Sequence, residues 1–146
     1  MPRNSKDATY DTATLLKDAG LVAATAAATV GGSAPNAIIP LGAGRGDFRV
    51  IVDATAIEVD SGNELYTILF QLSNSATFAS GVFGGPAIRL GHSSTTLSSA
   101  STAVGRREMG VCNEINGTVF AFARLQTIVA GTIASGVNYT AYLVQA

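Results

Sequence analysis

Apolar and polar side chains alternate with a period of two along four stretches of the chain, and each predicts a β-strand. In "ELYTILFQLS", Tyr66, Ile68, Phe70 and Leu72 share one face while Thr67, Leu69 and Gln71 share the other. "FRVIVDATAIEV" sets Phe48, Val50, Val52, Ala54 and Ala56 against Arg49, Asp53 and Thr55, the pattern of a half-buried strand. "TVFAFARLQTIVAG" carries apolar side chains on both faces, which predicts a central strand. "VNYTAYLVQ" alternates Val137, Tyr139, Ala141 and Leu143 with Asn138, Thr140 and Tyr142 and predicts a strand tied into a sheet.

Between these stretches lie "DSGNE", "GVFGGP", "RLGHSSTTLSSASTAVG", "NEINGT" and "AGTIASGVN", clusters of Gly, Ser, Asn and Pro that turn a chain. "LGAGRGDF" belongs with them. Its glycines do not complete a dinucleotide fingerprint, because Asp47 stands where a third glycine is needed and a strand pattern follows instead of a helix start. A hairpin connection is expected there, and a solvated hairpin turn over "EVDSGNE". Residues 11–30 are rich in Ala, the best helix former. Thr25, Thr29 and Gly20 interrupt them and no polar face recurs at helical spacing, so an extended course is expected. Short strands, dense turns and no amphipathic helix predict an all-β domain, a jelly-roll-like β-sandwich or barrel. The organisation expected is a flexible N-terminal arm over residues 1–9 and one β-sandwich domain over residues 10–146, a length that suits a single core.

Composition narrows the function. Charged residues are 13% of the chain, about half the usual share of a soluble protein, so Ser, Thr, Asn, Gly and Ala must cover much of the surface. Such a surface suits burial against protein partners. Nine basic and ten acidic side chains leave a net charge of −1, which gives a polyanion no broad attraction, and nucleic-acid binding is not expected. No stretch approaches the roughly 20 apolar residues of a membrane helix, and no apolar run follows "MPRNSKDATYD" to make it a secretory leader. Cys112 is the only cysteine and has no intrachain disulfide partner, consistent with maturation in a reducing cytoplasm.

The inventory for catalysis is thin. His92 is the only histidine and stands in a serine-rich loop without a partner that the sequence can place, so no catalytic residue is assigned. Glu58, Asp60, Asn63 and Glu64 could supply oxygen ligands to Ca²⁺ but lack the spacing of an EF-hand loop. One Cys and one His do not make a usual zinc site. No metal or other cofactor is assigned. Arg45-Gly46-Asp47 spells an adhesion tripeptide, but Arg45 and Asp47 are expected to pair locally or to touch a neighbouring subunit. Arg106 and Arg107 before Glu108 read as a wet strand end.

Four phrases, "YDTATLLKDAG", "LGAGRGDFRVIVD", "VDATAIEVDSGNELYTILFQLSNSATFA" and "FARLQTIVAGTIASGVNYTAYL", cover most of the chain. In their order and texture they resemble the capsid cement, or decoration, proteins of tailed bacteriophages. The resemblance implies a jelly-roll-like fold, assembly into homodimers or homotrimers, and binding of the major capsid protein on the outer face of an icosahedral shell. It also implies a place on the virion exterior after a cytoplasmic assembly stage. Capsid attachment is expected to draw on Arg3, Lys6 and Tyr10 of the N-terminal arm, with Arg45 and Asp47 as further partner-binding residues. A binding module of a phage tail or fibre, or a carbohydrate-binding sandwich, is the alternative; absence of tryptophan weighs against the sugar reading. A small β-barrel enzyme is the third class, with only His92 and the acids from Glu58 to Glu64 to draw on.

Overall fold

A computed structural model describes residues 14–91 and 102–146. Its elements in chain order are β1 (Leu15–Lys17), β2 (Leu21–Val22), β3 (Ala26–Ala27), a 3₁₀ turn (Pro35–Ala37), β4 (Ile39–Pro40), β5 (Asp47–Ile57), β6 (Leu65–Ser73) and β7 (Phe83–Gly91). They continue with β8 (Gly105–Cys112), β9 (Glu114–Ile115), β10 (Thr118–Val119), β11 (Phe122–Ala130) and β12 (Val137–Gln145). The described residues are all-β. Two antiparallel sheets form a sandwich, one in the order β1-β12-β5-β8 with β2 also on β12, the other β3-β11-β6-β7 with β4 also on β11. β9 and β10 make a small separate hairpin.

The core lies between the sheets, where the period-two pattern puts it. Val50, Val52 and Ala54 of β5 and Val137, Tyr139, Ala141 and Leu143 of β12 face Tyr66, Ile68, Phe70 and Leu72 of β6 and Ala123 and Leu125 of β11. Tyr66, Phe70 and Tyr139 are fully buried, each burial contributing about 1.5–3 kcal/mol. One polar pair crosses the apolar layer. The hydroxyls of Thr127 on β11 and Tyr139 on β12 lie 2.6 Å apart and satisfy each other, and burial pushes the Tyr139 phenol up to about 12 even though the bond to Thr127 opposes it.

The Ala-rich stretch runs extended, as β1 to β3, and lays three short strands along the margins of both sheets. Four expectations need correction. The cluster "GVFGGP" is not simply a turn, because β7 begins at Phe83. Ala56 is exposed, because the β5–β12 ladder shifts register between Asn138 and Tyr139 and moves Ala56 off the inward face. "TVFAFARLQTIVAG" is not one strand: Thr118–Val119 closes the β9–β10 hairpin and β11 begins only at Phe122. The glycine-rich "LGAGRG" and the acidic "EVDSGNE" are not hairpin turns but corners between layers, the first joining β4 to β5 and the second β5 to β6, strands of different sheets.

Candidate docking surface

The sandwich has two ends, and the polar side chains expected to carry chemistry gather at the one holding the β5–β6 and β11–β12 corners. There the Glu58 carboxylate accepts from the N–H groups of Ala134 at 2.9 Å, Ser135 at 2.8 Å and Gly136 at 2.6 Å, an anion filling a ring of backbone donors. Those donors, Gly136 first, hold its pKa below the ordinary carboxylate value despite an opposing desolvation. Asn63 bonds Thr132 twice, donating to its Oγ1 and accepting from its N–H. Glu64 is fully buried. Burial alone would raise its pKa, but the N–H of Ser61 at 2.5 Å and those of Glu64 and Gly62 outweigh it and keep the group a carboxylate. Tyr66 donates its hydroxyl to Glu58 O, and desolvation with the nearby charges of Glu58, Glu64 and Asp60 pushes the phenol up to about 12.

Glu58 is therefore consumed by the corner it stands in, while Glu64 keeps one buried oxygen, Oε2, without a hydrogen-bond partner among the described residues. The oxygen-ligand possibility finds no support among the described residues, where no group of three or more His, Cys, Asp and Glu could hold a metal ion. Lys17, which the sequence did not single out, belongs to the same end. Its ammonium is almost wholly buried, donates to Asp18 O, Gly20 O and Tyr139 O at 2.9 Å each, and lies 4.5 Å from the centre of the Tyr139 ring. Desolvation lowers its pKa, with Asp18 opposing.

The opposite end, with the β4–β5 corner, the β6–β7 loop and the β9–β10 hairpin, is built differently. Asn113 is fully buried there, between the core residues Val111 and Phe120 in the chain. Its amide donates to Gly44 O at 2.9 Å and Phe120 O at 3.1 Å and accepts from Gly46 N at 2.7 Å, so one side chain fixes the glycine-rich corner to the hairpin. Arg45 then reaches Glu114 at 3.3 Å and Asp47 at 3.4 Å. All three are partly exposed, so each pair is worth at most about 1 kcal/mol and serves to orient the corner more than to hold it. The expectation that Arg45 and Asp47 pair locally is met. Arg106 is an ion-pair partner of Asp53 across the outer face of the first sheet, at 2.9 Å.

Two clefts flank the hairpin. One, of about 530 Å³, opens between the edge strands β7 and β8; its floor is Phe48, Leu72, Pro86, Val111 and Ile115, with Cys112 at its side, and Asp47, Arg49 and Glu114 form a charged rim. The other, of about 540 Å³, lies between the hairpin and the β6–β7 loop, against Phe83 and Phe120. Val82 and Phe83 are large apolar side chains left exposed at 38% and 48% beside it. Phe83 opens β7 on the edge of the sheet, which is why its ring stays half exposed although it lies in a strand.

Arg3, Lys6, Tyr10 and His92, with the arm expected over residues 1–9 and the first ten positions of the serine-rich segment, lie outside the described residues. No protein-family model and no curated protein matches this chain. Among the described residues no helix is long and apolar enough to cross a membrane.

Proposed function

We propose that the chain is a cement protein of a tailed-bacteriophage capsid, a jelly-roll-like domain that assembles as dimers or trimers, binds the major capsid protein on the outer face of the shell and bridges neighbouring capsomers. The strand order supports the jelly-roll reading. Taking β1 with β2 and β3 with β4 as one strand each, eight principal strands pair first with last, second with seventh, third with sixth and fourth with fifth, the winding of a long folded hairpin around a sandwich. The observation that carries the functional reading is the cleft between β7 and β8, an apolar floor with a rim of Asp47, Arg49 and Glu114. An apolar centre with a polar margin is the anatomy of a protein–protein contact. Pro86 and the irregular β6–β7 register beside it keep the β7 edge from pairing indiscriminately with other strands, so the contact is made through side chains.

Shell stabilisation follows from mass action. A protein that binds only the intact seam stabilises it by its differential affinity, and many symmetric copies multiply a modest contact. The N-terminal residues Arg3, Lys6 and Tyr10 add to the attachment in this reading, which places the protein on the virion exterior after assembly in the host cytoplasm. Co-sedimentation with expanded shells of the parent phage that lack the protein tests it. Saturable binding at a fixed number of copies per capsomer is expected, and recovery of the protein only in the supernatant would refute it.

A further inference from the structure

We propose that the cleft between the β6–β7 loop and the β9–β10 hairpin is a binding site for a neutral carbohydrate, with Phe83 as the platform for one face of a sugar ring. The walls are fixed before any ligand arrives. In the loop, Ser73 Oγ donates to Ser80 O at 2.9 Å and accepts from Ser75 N at 3.0 Å, and Ser75 Oγ accepts from Ala79 N at 3.2 Å. Asn74 clamps the loop to the other wall, accepting from Ala121 N at 2.9 Å and donating to Val119 O at 3.4 Å. Phe78, at a φ of 56°, is buried with the Arg124 guanidinium 4.4 Å from its ring centre. The hairpin turns on Asn116 and Gly117, with φ of 49° and 82°, two left-handed residues in succession as a tight two-residue turn requires.

What the walls present defines the ligand. Phe83 is half exposed, its ring 5.0 Å from that of the buried Phe120 and tilted by 47°, so Phe120 holds the platform in position. Around it the exposed Ser80, Asn116 and Thr118 line the cleft, and among the described residues their side chains make no hydrogen bond to protein. No ionisable side chain lines the space. A ligand that matches must be uncharged, offer an apolar face to an aromatic ring and carry several hydroxyls at its edge, which is the chemistry of a pyranose. The platform is a phenylalanine, so the lack of tryptophan does not decide against sugar binding. Ile115 lies in the walls of both clefts, but the charged rim belongs to the other one. The site therefore stands whether or not the chain is a cement protein.

Titration of the labelled full chain with neutral oligosaccharides (cellohexaose, maltohexaose, mannotriose, galactotriose and chitotetraose), followed by amide chemical shifts, tests the site. At least one sugar is expected to give saturable shifts, with a millimolar dissociation constant, centred on Ser80, Phe83, Asn116 and Thr118. Phe83→Ala is expected to weaken that binding by about tenfold or more, and Thr118→Val by a few-fold, with the rest of the spectrum unchanged. No saturable shift with any of the five, shifts centred elsewhere, or equal affinity in Phe83→Ala would overturn the proposal. So would loss of capsid attachment by Phe83→Ala in a protein that binds none of the sugars, since the cleft would then be a contact for coat protein.

Discussion

The two ends of the sandwich use polar residues in opposite ways. At the end holding the β5–β6 and β11–β12 corners, Glu58, Asn63 and Lys17, with one oxygen of Glu64, bond backbone and corner groups and hold the layers together. At the other end Asn113 fixes the corner and Asn74 the loop, and Phe83, Ser80, Asn116 and Thr118 stay exposed along a cleft. The end richest in residues associated with catalysis is thus structural, and the blander end has the surfaces that a partner or ligand can use.

Substitutions separate the two ends by their effect on stability. The largest loss is expected for Gly136→Ala. Gly136 has a φ of 94°, and an added Cβ would collide with Val22 O, backbone that cannot move without parting β2 from β12. A loss of about 3 kcal/mol in urea unfolding is expected, in the range for a side chain forced into a forbidden conformation plus a steric clash. Lys17→Met comes next. It removes the donor shared by three carbonyls, one of them Tyr139 O inside the sandwich, and a loss of about 2 kcal/mol by the same assay is expected.

The effect of acid should be smaller and confined to the same end. Glu58 and Glu64 have pKa values below the 4.5 they take when unfolded, so the unfolded chain binds protons first as the pH drops. Their stabilisation is complete above that value and is lost as the pH falls through the folded values. Thermal unfolding midpoints should decline over that acid range, and a Glu58→Gln, Glu64→Gln double variant should be less stable at neutral pH and show a flatter decline. An equal acid slope in wild type and variant would move the polar brace elsewhere. The smallest effect is expected at the open end, where Phe83→Ala should change unfolding stability by no more than about 1 kcal/mol because the ring is already half exposed. A larger loss would make Phe83 part of the brace and erase the contrast between the ends.

Much of this was legible in the chain. The alternation in β6 and β12 names Tyr66, Ile68, Phe70, Leu72, Val137, Tyr139, Ala141 and Leu143, and all of them are core residues. Thr25, Thr29 and Gly20 marked the Ala-rich stretch as extended against its helix propensity, and β2 and β3 are there. Sheet membership was not legible, because a turn signal reports that the chain bends and not whether it bends within a layer or between layers; hence "LGAGRG" and "EVDSGNE" became corners. The shift at Asn138 and Tyr139 that exposes Ala56 depends on the partner strand and leaves no local mark. Lys17 and Asn113 gave no signal either, since their partners are backbone groups up to 122 residues away. Phe83 was hidden because the glycines and proline of "GVFGGP" read as a turn, whereas these residues open the edge strand β7. In the candidate sites, Asn116-Gly117 was readable as a turn, and Asp47, expected to touch a partner, lies on the rim of the apolar cleft.

The central claim is that the open end docks on the capsid, and the most direct test is the disruption temperature of shells lacking the protein, with wild type or Pro86→Glu added at equal concentration. Pro86 is exposed on the floor of the apolar cleft, so a carboxylate there should leave folding intact while placing a charge at the centre of the contact. The account predicts that wild type raises the disruption temperature and that Pro86→Glu, folded by circular dichroism, does not. A wild type without effect, or a Pro86→Glu variant that protects the shell equally well, would contradict it.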